Sequence, residues 1–262
     1  MWLAGIVFVV ALVAEAVVSF GVGLGQDDSA AKVAHALDKH HRRLVVIACL
    51  SVVYAPMFLI YLIGLHGRLR GDTDRSRMLS LWVLVGGALM IAMHAVSDIG
   101  ITGLLGAKVA AYAAQHDAGL SYSLYYLTFA VDSVGDVFGS LFLVAAGVLS
   151  IERGLLPRWL GRVAILAGIL LFVQGFGLGG VIGTFGLVVD GIGFVLFLAF
   201  VLISSVTLMT RRVAAPRLVD AEDIVRVVGA LELGEPLVGL RRVGGLHALS
   251  ALAAEVVHVD AG

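Results

Sequence analysis

The chain has 262 residues, of which 60% are hydrophobic and 14% are charged, and its formal net charge is −1. Soluble globular domains carry about 45–50% apolar and about 25% charged residues, so this composition excludes an ordinary soluble domain. The near-neutral charge and the lack of a dense basic stretch in the sequence predict no nucleic-acid partner.

Runs of about 20 apolar residues recur along the sequence and are typical of membrane-spanning helices. They predict an all-α fold, a polytopic membrane helix bundle in which residues 1–210 form a six-helix transmembrane domain. The predicted spans are about 2–24, 44–65, 79–104, 121–150, 158–182 and 184–208. The first run has no basic residue before its core and is interrupted by Glu15, so we expect a retained helix rather than a cleaved signal peptide.

Basic residues in the short loops predict the orientation, because Lys and Arg concentrate on the cytoplasmic side. One side is predicted to carry nine: Arg68, Arg70, Arg75, Arg77, Arg153, Arg158, Arg162, Arg211 and Arg212. The other side is predicted to carry five: Lys32, Lys39, Arg42, Arg43 and Lys108. The composition, rich in Arg, Ala, Val and Gly, suggests a bacterial protein. We therefore expect a multi-pass protein of the bacterial inner membrane with both termini in the cytoplasm.

The segment between the fourth and fifth predicted spans is predicted to form a tight hairpin. Gly154 is expected to end one helix, and Pro157 suits the first turn of the next, where its missing N–H matters least. Long basic side chains and tryptophan favour the headgroup region. Four residues are therefore predicted to anchor the hairpin at the membrane interface: Arg153, Arg158, Trp159 and Arg162.

This hairpin carries the residues Gly154, Leu156, Pro157, Arg158, Leu160 and Gly161. In that pattern it resembles a bacterial family of multi-pass inner-membrane proteins catalogued as a domain of unknown function. Members of that family share a Gly-x-Leu-Pro-Arg-x-Leu-Gly turn between helices four and five; here Leu155 stands at the first variable position. The likeness extends loosely over residues 44–182. It implies a fold and a topology, and it implies no activity and no catalytic residues.

Beyond Pro216 the composition changes, and residues 211–262 are predicted to form a cytoplasmic tail with two short helices. Asp220 is suited to cap the first of these helices. The second repeats apolar residues at amphipathic spacing from Leu246 to Val257. The tail, over residues 216–262, is a candidate surface for a second copy of the chain or for a protein partner. The bilayer itself is the other expected partner.

Polar side chains interrupt all six predicted spans. An ionised group near the middle of a bilayer costs at least ~2.5–3.5 kcal/mol on insertion scales, so such groups normally face the bundle interior and have partners. The spans contain five acids, and the only Lys or Arg residues within them, Arg158 and Arg162, lie at the start of the fifth span. The predicted intramembrane polar site comprises Glu15, Tyr54, His94, Asp98, Asp132, Asp136, Gln174 and Asp190.

Spacing and depth suggest that these groups share one cavity. Residues four apart lie on one helix face, so His94 is expected to point the same way as Asp98, and Asp132 the same way as Asp136. A rise of ~1.5 Å per residue places a polar group of every span in its outer half. Simpler explanations compete: Asp98 and Asp190 could cap helix ends, and Glu15 could be a protonated carboxyl bonded to a carbonyl.

The sequence favours a non-catalytic membrane protein with a structural or regulatory role. One alternative is a transporter or channel for protons, cations or a small solute, because carboxylates and imidazole suit cations. A second is a membrane-embedded metal-dependent hydrolase in which an ion activates water. One intramembrane histidine is few for zinc, and no HExxH spacing occurs. No cofactor is evident except a divalent cation, with candidate ligands His94, Asp98, Asp132 and Asp136.

Reporter fusions check the orientation. Fusions after Arg77 and after Arg162 should report the cytoplasm, and a fusion near residue 115 should report the exterior, because the arginine-rich loops resist translocation. A periplasmic signal at Arg77 would contradict the expected orientation.

Overall fold

A computed structural model describes residues 1–22, 24, 28–107, 111–112, 115–175 and 183–210, and for residues 183–188 and 190 it describes little beyond the backbone. Its helices are α1 (Trp2–Phe20), α2 (Ala30–Lys39), α3 (His41–Leu69), α4 (Asp74–Ala95), α5 (Gly103–Gly106), α6 (Ala118–Arg153), α7 (Arg158–Gly175) and α8 (Gly183–Thr210). A π-helical segment, Val96–Thr102, joins α4 to α5 without a break. The predicted tail, residues 211–262, lies outside the described residues, as does the turn at 176–182.

Six of these helical stretches are long and apolar enough to cross a membrane: Trp2–Phe20, His41–Leu69, Asp74–Gly106, Ala118–Arg153, Arg158–Gly175 and Gly191–Thr210. The prediction of an all-α bundle with about six spans is therefore confirmed. The third stretch combines α4, the π-helical segment and α5, and α3 and α6 extend beyond their predicted spans at both ends. The chain is a polytopic helical membrane protein.

Polar caps and one glycine set the ends of α6. Asp117 precedes the helix, and its carboxylate accepts hydrogen bonds from the backbone N–H groups of Gly119 (2.9 Å) and Leu120 (3.2 Å). Such a cap satisfies donors that have no partner within the helix. At the other end Gly154 adopts a left-handed conformation, with φ of 62°. A left-handed residue stops a helix, and glycine adopts it without strain, so the chain turns there into α7.

Glycines allow α6 to approach its neighbours closely. A Cβ atom added to Gly86 on α4 would lie 2.9 Å from the backbone of Phe138 and Phe142, and one added to Gly161 on α7 would lie 2.8 Å from the carbonyl oxygen of Gly147. Real Cβ atoms do not come this close to backbone. In lipid, helices associate largely through van der Waals contact, which small residues bring to short range. The helices α4, α6 and α7 therefore pack backbone to backbone.

An aromatic cluster fills the centre of the bundle. Phe8 of α1 lies 4.6 Å from Phe58 of α3 and 5.9 Å from Phe197 of α8, measured between ring centroids. Phe142 of α6 and Phe200 of α8 complete it, with centroids 6.2 Å apart. These rings are almost wholly buried. Edge-to-face contacts of this kind add about 0.5–1.5 kcal/mol each beyond the burial of area. The cluster joins four helices at mid-bundle.

Polar contacts hold together the loops at one end of the bundle. The guanidinium of Arg153 donates hydrogen bonds to the carbonyl oxygens of Arg68 (3.2 Å) and Arg70, at the end of α3. The Arg75 guanidinium lies 2.8 Å from a Glu152 carboxylate oxygen. We call this the arginine end. Arg153, expected only as a membrane anchor, thus also caps a helix, whereas Trp159 is half exposed, as an interface residue should be.

Helix α2 and the π-helical segment are two features that the sequence reading missed. Ser29 caps α2 by accepting a hydrogen bond from the Lys32 N–H. This helix buries Val33, Ala34 and Leu37 against the bundle, at the end opposite the arginine end. Its ten residues are too few to span a bilayer, so a search for long apolar runs does not detect this helix.

The close approach of α6 and α7 yields a stability prediction. Gly147→Ala should lower the free energy of unfolding by about 1–3 kcal/mol, because the added Cβ would lie 2.5 Å from the Gly161 carbonyl oxygen. Thermal unfolding in detergent measures the change. The control, Gly67→Ala, places a methyl on an exposed helical position with no atom within 4 Å. It should be neutral or stabilising by up to about 1 kcal/mol. Equal losses of stability would contradict the packing described here.

Candidate functional site

A cavity of about 630 Å³ lies between the helices on the side of the aromatic cluster away from the arginine end. Its wall includes residues from the far ends of the helices, among them Phe20, Leu44, Leu105 and Tyr125, and Leu37 of α2. Phe8 and Phe197 of the aromatic cluster form its deep end. The cavity thus lies in one half of the bundle, between the membrane-spanning segments and α2.

Seven of the eight residues of the predicted polar site line this one cavity: Glu15, Tyr54, His94, Asp98, Asp132, Asp136 and Gln174. They come from α1, α3, α4, the π-helical segment, α6 and α7. The side chain of the eighth, Asp190, lies outside what the structure describes. The structure therefore brings together groups that are up to 159 positions apart in sequence, from Glu15 to Gln174. Their functional role stays a prediction.

His94 connects α4 to both acids of α6. Its Nδ1 atom lies 3.0 Å from Oδ1 of Asp132, and its Nε2 atom lies 3.7 Å from Oδ1 of Asp136. Gly135, between the two acids, leaves room for the ring, since an added Cβ would lie 3.4 Å from Nε2. The imidazole is thus hydrogen-bonded to Asp132 and lies within ion-pair distance of Asp136. We call these three residues the histidine triad.

Asp98, in the π-helical segment, belongs to a second group, whose other members are on α3. Its Oδ2 atom accepts hydrogen bonds from the hydroxyl of Tyr54 and from that of Ser51 (3.1 Å). The Ser51 hydroxyl also lies 3.0 Å from the Ile47 carbonyl oxygen, so its single hydrogen is divided between that oxygen and Asp98. Tyr54 is therefore the main donor to Asp98, and it is almost completely buried beside it.

His94 and Asp98, which were expected to point the same way, have different hydrogen-bond partners. His94 contacts α6, whereas Asp98 bonds to α3. The π-helical segment begins at Val96, between the two residues. A π-helix closes its hydrogen bonds over five residues instead of four, so it changes the direction of the side chains that follow. Both side chains still line the cavity, but each takes part in a different group.

Glu15 and Gln174 are held less firmly. An oxygen of Glu15 accepts a hydrogen bond from Ser19, one turn along the same helix, at 3.2 Å. Glu15 also lies within electrostatic reach of Asp98 and His94. The Oε1 atom of Gln174 is buried and has no hydrogen-bond partner within the described part of the chain. A carboxylate with one weak donor and an amide oxygen with none are suited to accept hydrogen bonds from a bound molecule.

The wall of the cavity is acidic and aromatic. It includes four carboxyl groups and one imidazole, and no Lys or Arg is among the described residues that line it. Aromatic rings of α1, α3, α6 and α8 make up a large part of the remainder: Phe8, Phe20, Tyr54, Tyr125, Phe129, Phe194 and Phe197. Sequence reasoning missed Ser51 and all of these rings except Tyr54. Ser51 lies three residues before Tyr54, and this spacing places both on one helix face, so the sequence contained a signal for Ser51.

The four candidate metal ligands do not converge on a single point. His94, Asp132 and Asp136 lie together, but Asp98 is bonded to Tyr54 and Ser51. Across the described residues, no group of three or more His, Cys, Asp and Glu side chains has an arrangement that could hold a metal ion. The described geometry instead divides the acids between two neighbouring hydrogen-bonded groups.

Six spanning helices around an acidic cavity define a polytopic membrane protein with an intramembrane polar site. Residues 3–217 match the family described as Domain of unknown function (DUF4386), and the chain belongs to this family. Membership in a family catalogued as a domain of unknown function, expected from the hairpin, is thereby confirmed. No curated protein and no solved structure matches the chain.

The division into two groups can be tested with double-mutant cycles. His94→Ala and Asp132→Asn should show a coupling of about 0.5–3 kcal/mol in the free energy of unfolding, because the two side chains are in contact. Tyr54→Phe and Asp132→Asn, which alter different groups, should be additive within about 0.5 kcal/mol. Denaturant titration in mixed micelles measures each energy. Coupling of equal size in both cycles would show that all of these residues form one network.

Proposed function

We propose that the chain is a non-catalytic membrane carrier that binds a small solute in the acidic cavity and exchanges it for protons. The observation that carries this proposal is the convergence of polar side chains from six helical segments on one cavity of about 630 Å³. Sites for small molecules are typically clefts of about 300–1,000 Å³ that are mostly apolar, with a few convergent polar groups. The cavity matches that description.

The size of the cavity favours a solute over an ion alone. A single cation is enclosed by oxygen ligands at about 2–2.6 Å, and a proton needs only one carboxyl or imidazole. Neither requires a space of about 630 Å³ lined largely by aromatic and aliphatic side chains. A small organic molecule would occupy the space, and its polar part would meet the carboxyl groups.

The polar lining also favours a carrier over a purely structural bundle. A bundle that serves only assembly can fill its interior with apolar side chains, and replacing a buried ion pair by packed hydrophobic residues is often neutral or stabilising. Here His94 and four acids surround open space instead. In membrane proteins such residues commonly mark substrate pathways and proton relays. The histidine triad is suited to the proton relay, because its imidazole contacts a carboxylate at each nitrogen.

The arginine end supports an orientation for the carrier. Arg68, Arg70, Arg75 and Arg153 gather at that end, opposite the cavity. By the positive-inside rule this end faces the cytoplasm of a bacterial inner membrane. The cavity then lies in the outer half of the membrane and receives solute from the exterior.

Proteoliposomes that contain a pH-sensitive dye test the exchange. Gradients of benzyltrimethylammonium, phenylalanine, benzenesulfonate or mannitol are imposed in turn, so that each charge class is represented. At least one should change the internal pH only when the protein is present, because solute uptake expels protons from the cavity. If no solute produces a protein-dependent change, the proposed exchange is wrong.

Two glycine variants provide the matched control. Gly191 lines the cavity, and a Cβ added there meets no heavy atom of the described residues within 4 Å, so Gly191→Leu should fill space without disturbing the fold. It should reduce the exchange rate at least tenfold. Gly67→Leu makes the same change at an exposed position on α3, also with no atom within 4 Å, and should leave the rate unchanged. Equal rates in the two variants would place the exchange outside this cavity.

A further inference from the structure

We infer that the solute is an amphipathic organic cation, with its charged nitrogen between Glu15 and Asp98 and its apolar body against the aromatic wall. This inference rests on the proposed function, because it assigns a chemical class to the molecule that occupies the same cavity. Three observations carry it: the balance of charge in the cavity, the division of the acids into groups, and the aromatic lining.

The balance of charge favours a cation. Four carboxyl groups and one imidazole line the cavity, so a protonated His94 compensates one carboxylate, and the others depend on protons or on a bound positive charge. An anionic solute would place a further negative charge among them in a medium of low dielectric constant, where like charges repel strongly. A cation lowers that repulsion. The charge of the wall thus discriminates between solutes by sign.

The division of the acids indicates where the positive charge binds. Asp132 and Asp136 already have a basic partner, His94, at 3.0 Å and 3.7 Å. Within the described part of the chain, the hydrogen-bond donors to Asp98 are the hydroxyls of Tyr54 and Ser51, both to its Oδ2 atom. Glu15 accepts a 3.2 Å hydrogen bond from Ser19. Glu15 and Asp98 face the cavity from different helices, lie within electrostatic reach of each other, and have no Lys or Arg partner among the described residues. They are the acids that a cation would meet.

The aromatic lining suits the rest of such a molecule. Tyr54 donates to Asp98 and packs edge to face on Phe8, with ring centroids 5.9 Å apart. Phe197 adds a further ring 5.9 Å from Phe8. A cation over the face of an aromatic ring within about 6 Å is attracted by the ring, and aromatic enclosures are typical of sites for quaternary ammonium groups. These three rings are themselves buried and form the base of the aromatic wall. Tyr125, Phe129 and Phe194 also line the cavity and are only partly buried, so they would contact an apolar body and the methyl groups around a charged nitrogen.

Isothermal titration calorimetry on the full chain in detergent tests the inference, with benzyltrimethylammonium as the probe. Its neutral analogue, neopentylbenzene, has carbon in place of nitrogen and the same shape. Benzenesulfonate has the opposite charge. The cation should bind at least tenfold more tightly than the other two. Equal or tighter binding of the neutral analogue or of the anion would overturn the inference, and this comparison needs no variant protein.

Charge-neutralising variants locate the binding site. Glu15→Gln should weaken binding of benzyltrimethylammonium at least tenfold; this residue is only partly buried and has one weak partner, so the fold should tolerate the change. Asp98→Asn should act in the same direction. Glu152→Gln removes an acid at the arginine end, where it pairs with Arg75, and should leave the affinity unchanged. Wild-type affinity in Glu15→Gln and in Asp98→Asn would overturn the assigned position.

The two experiments distinguish a failure of the carrier function from a failure of the organic-cation site. Proton exchange driven only by phenylalanine, benzenesulfonate or mannitol would leave the carrier function standing and would exclude an organic cation as its solute. Binding of benzyltrimethylammonium in the calorimeter without any proton exchange in proteoliposomes would support the cation site and contradict the carrier function.

Discussion

Hydrocarbon cannot solvate a carboxyl group, and the arrangement of this bundle depends on that constraint. Glu15, Asp98, Asp132 and Asp136 lie on apolar spans, where each would be costly if it faced lipid. They face inward, and each is near a proton donor on its own or a neighbouring helix. The contact of His94 with Asp132 joins α4 to α6, and that of Tyr54 with Asp98 joins α3 to the π-helical segment. The pairing of these polar groups thus specifies how the helices are rotated about their axes.

The two halves of the bundle are packed differently. Around mid-bundle and toward the arginine end, glycines bring α4, α6 and α7 together, and rings such as Phe58 and Phe142 exclude water completely. Toward the other end the same helices enclose the cavity, and α2 covers part of the bundle with its buried face. A well-packed half supplies the rigidity that a preorganised site requires. An open half supplies room for a solute.

The π-helical segment gives the cavity two chemically distinct groups. π-Bulges in helices often occur at functional sites, because the extra residue redirects side chains without ending the helix. Here it begins after His94, which contacts two acids, and it contains Asp98, which is held by hydroxyls. One group is suited to hold and release a proton, and the other to receive a positive charge. A regular α-helix would direct both side chains to one neighbour.

The sequence alone determined the class of fold and most members of the polar site. Long apolar runs predicted the six spans, and the cost of acids in lipid singled out the residues that line the cavity, because both arguments need only local composition. The sequence could not show which acid meets which partner. That depends on helix rotation, on the π-helical turn at Val96 and on contacts between residues far apart, such as Tyr54 with Asp98. Tertiary packing decided these features, and with them the division of one predicted polar layer into two groups around a cavity.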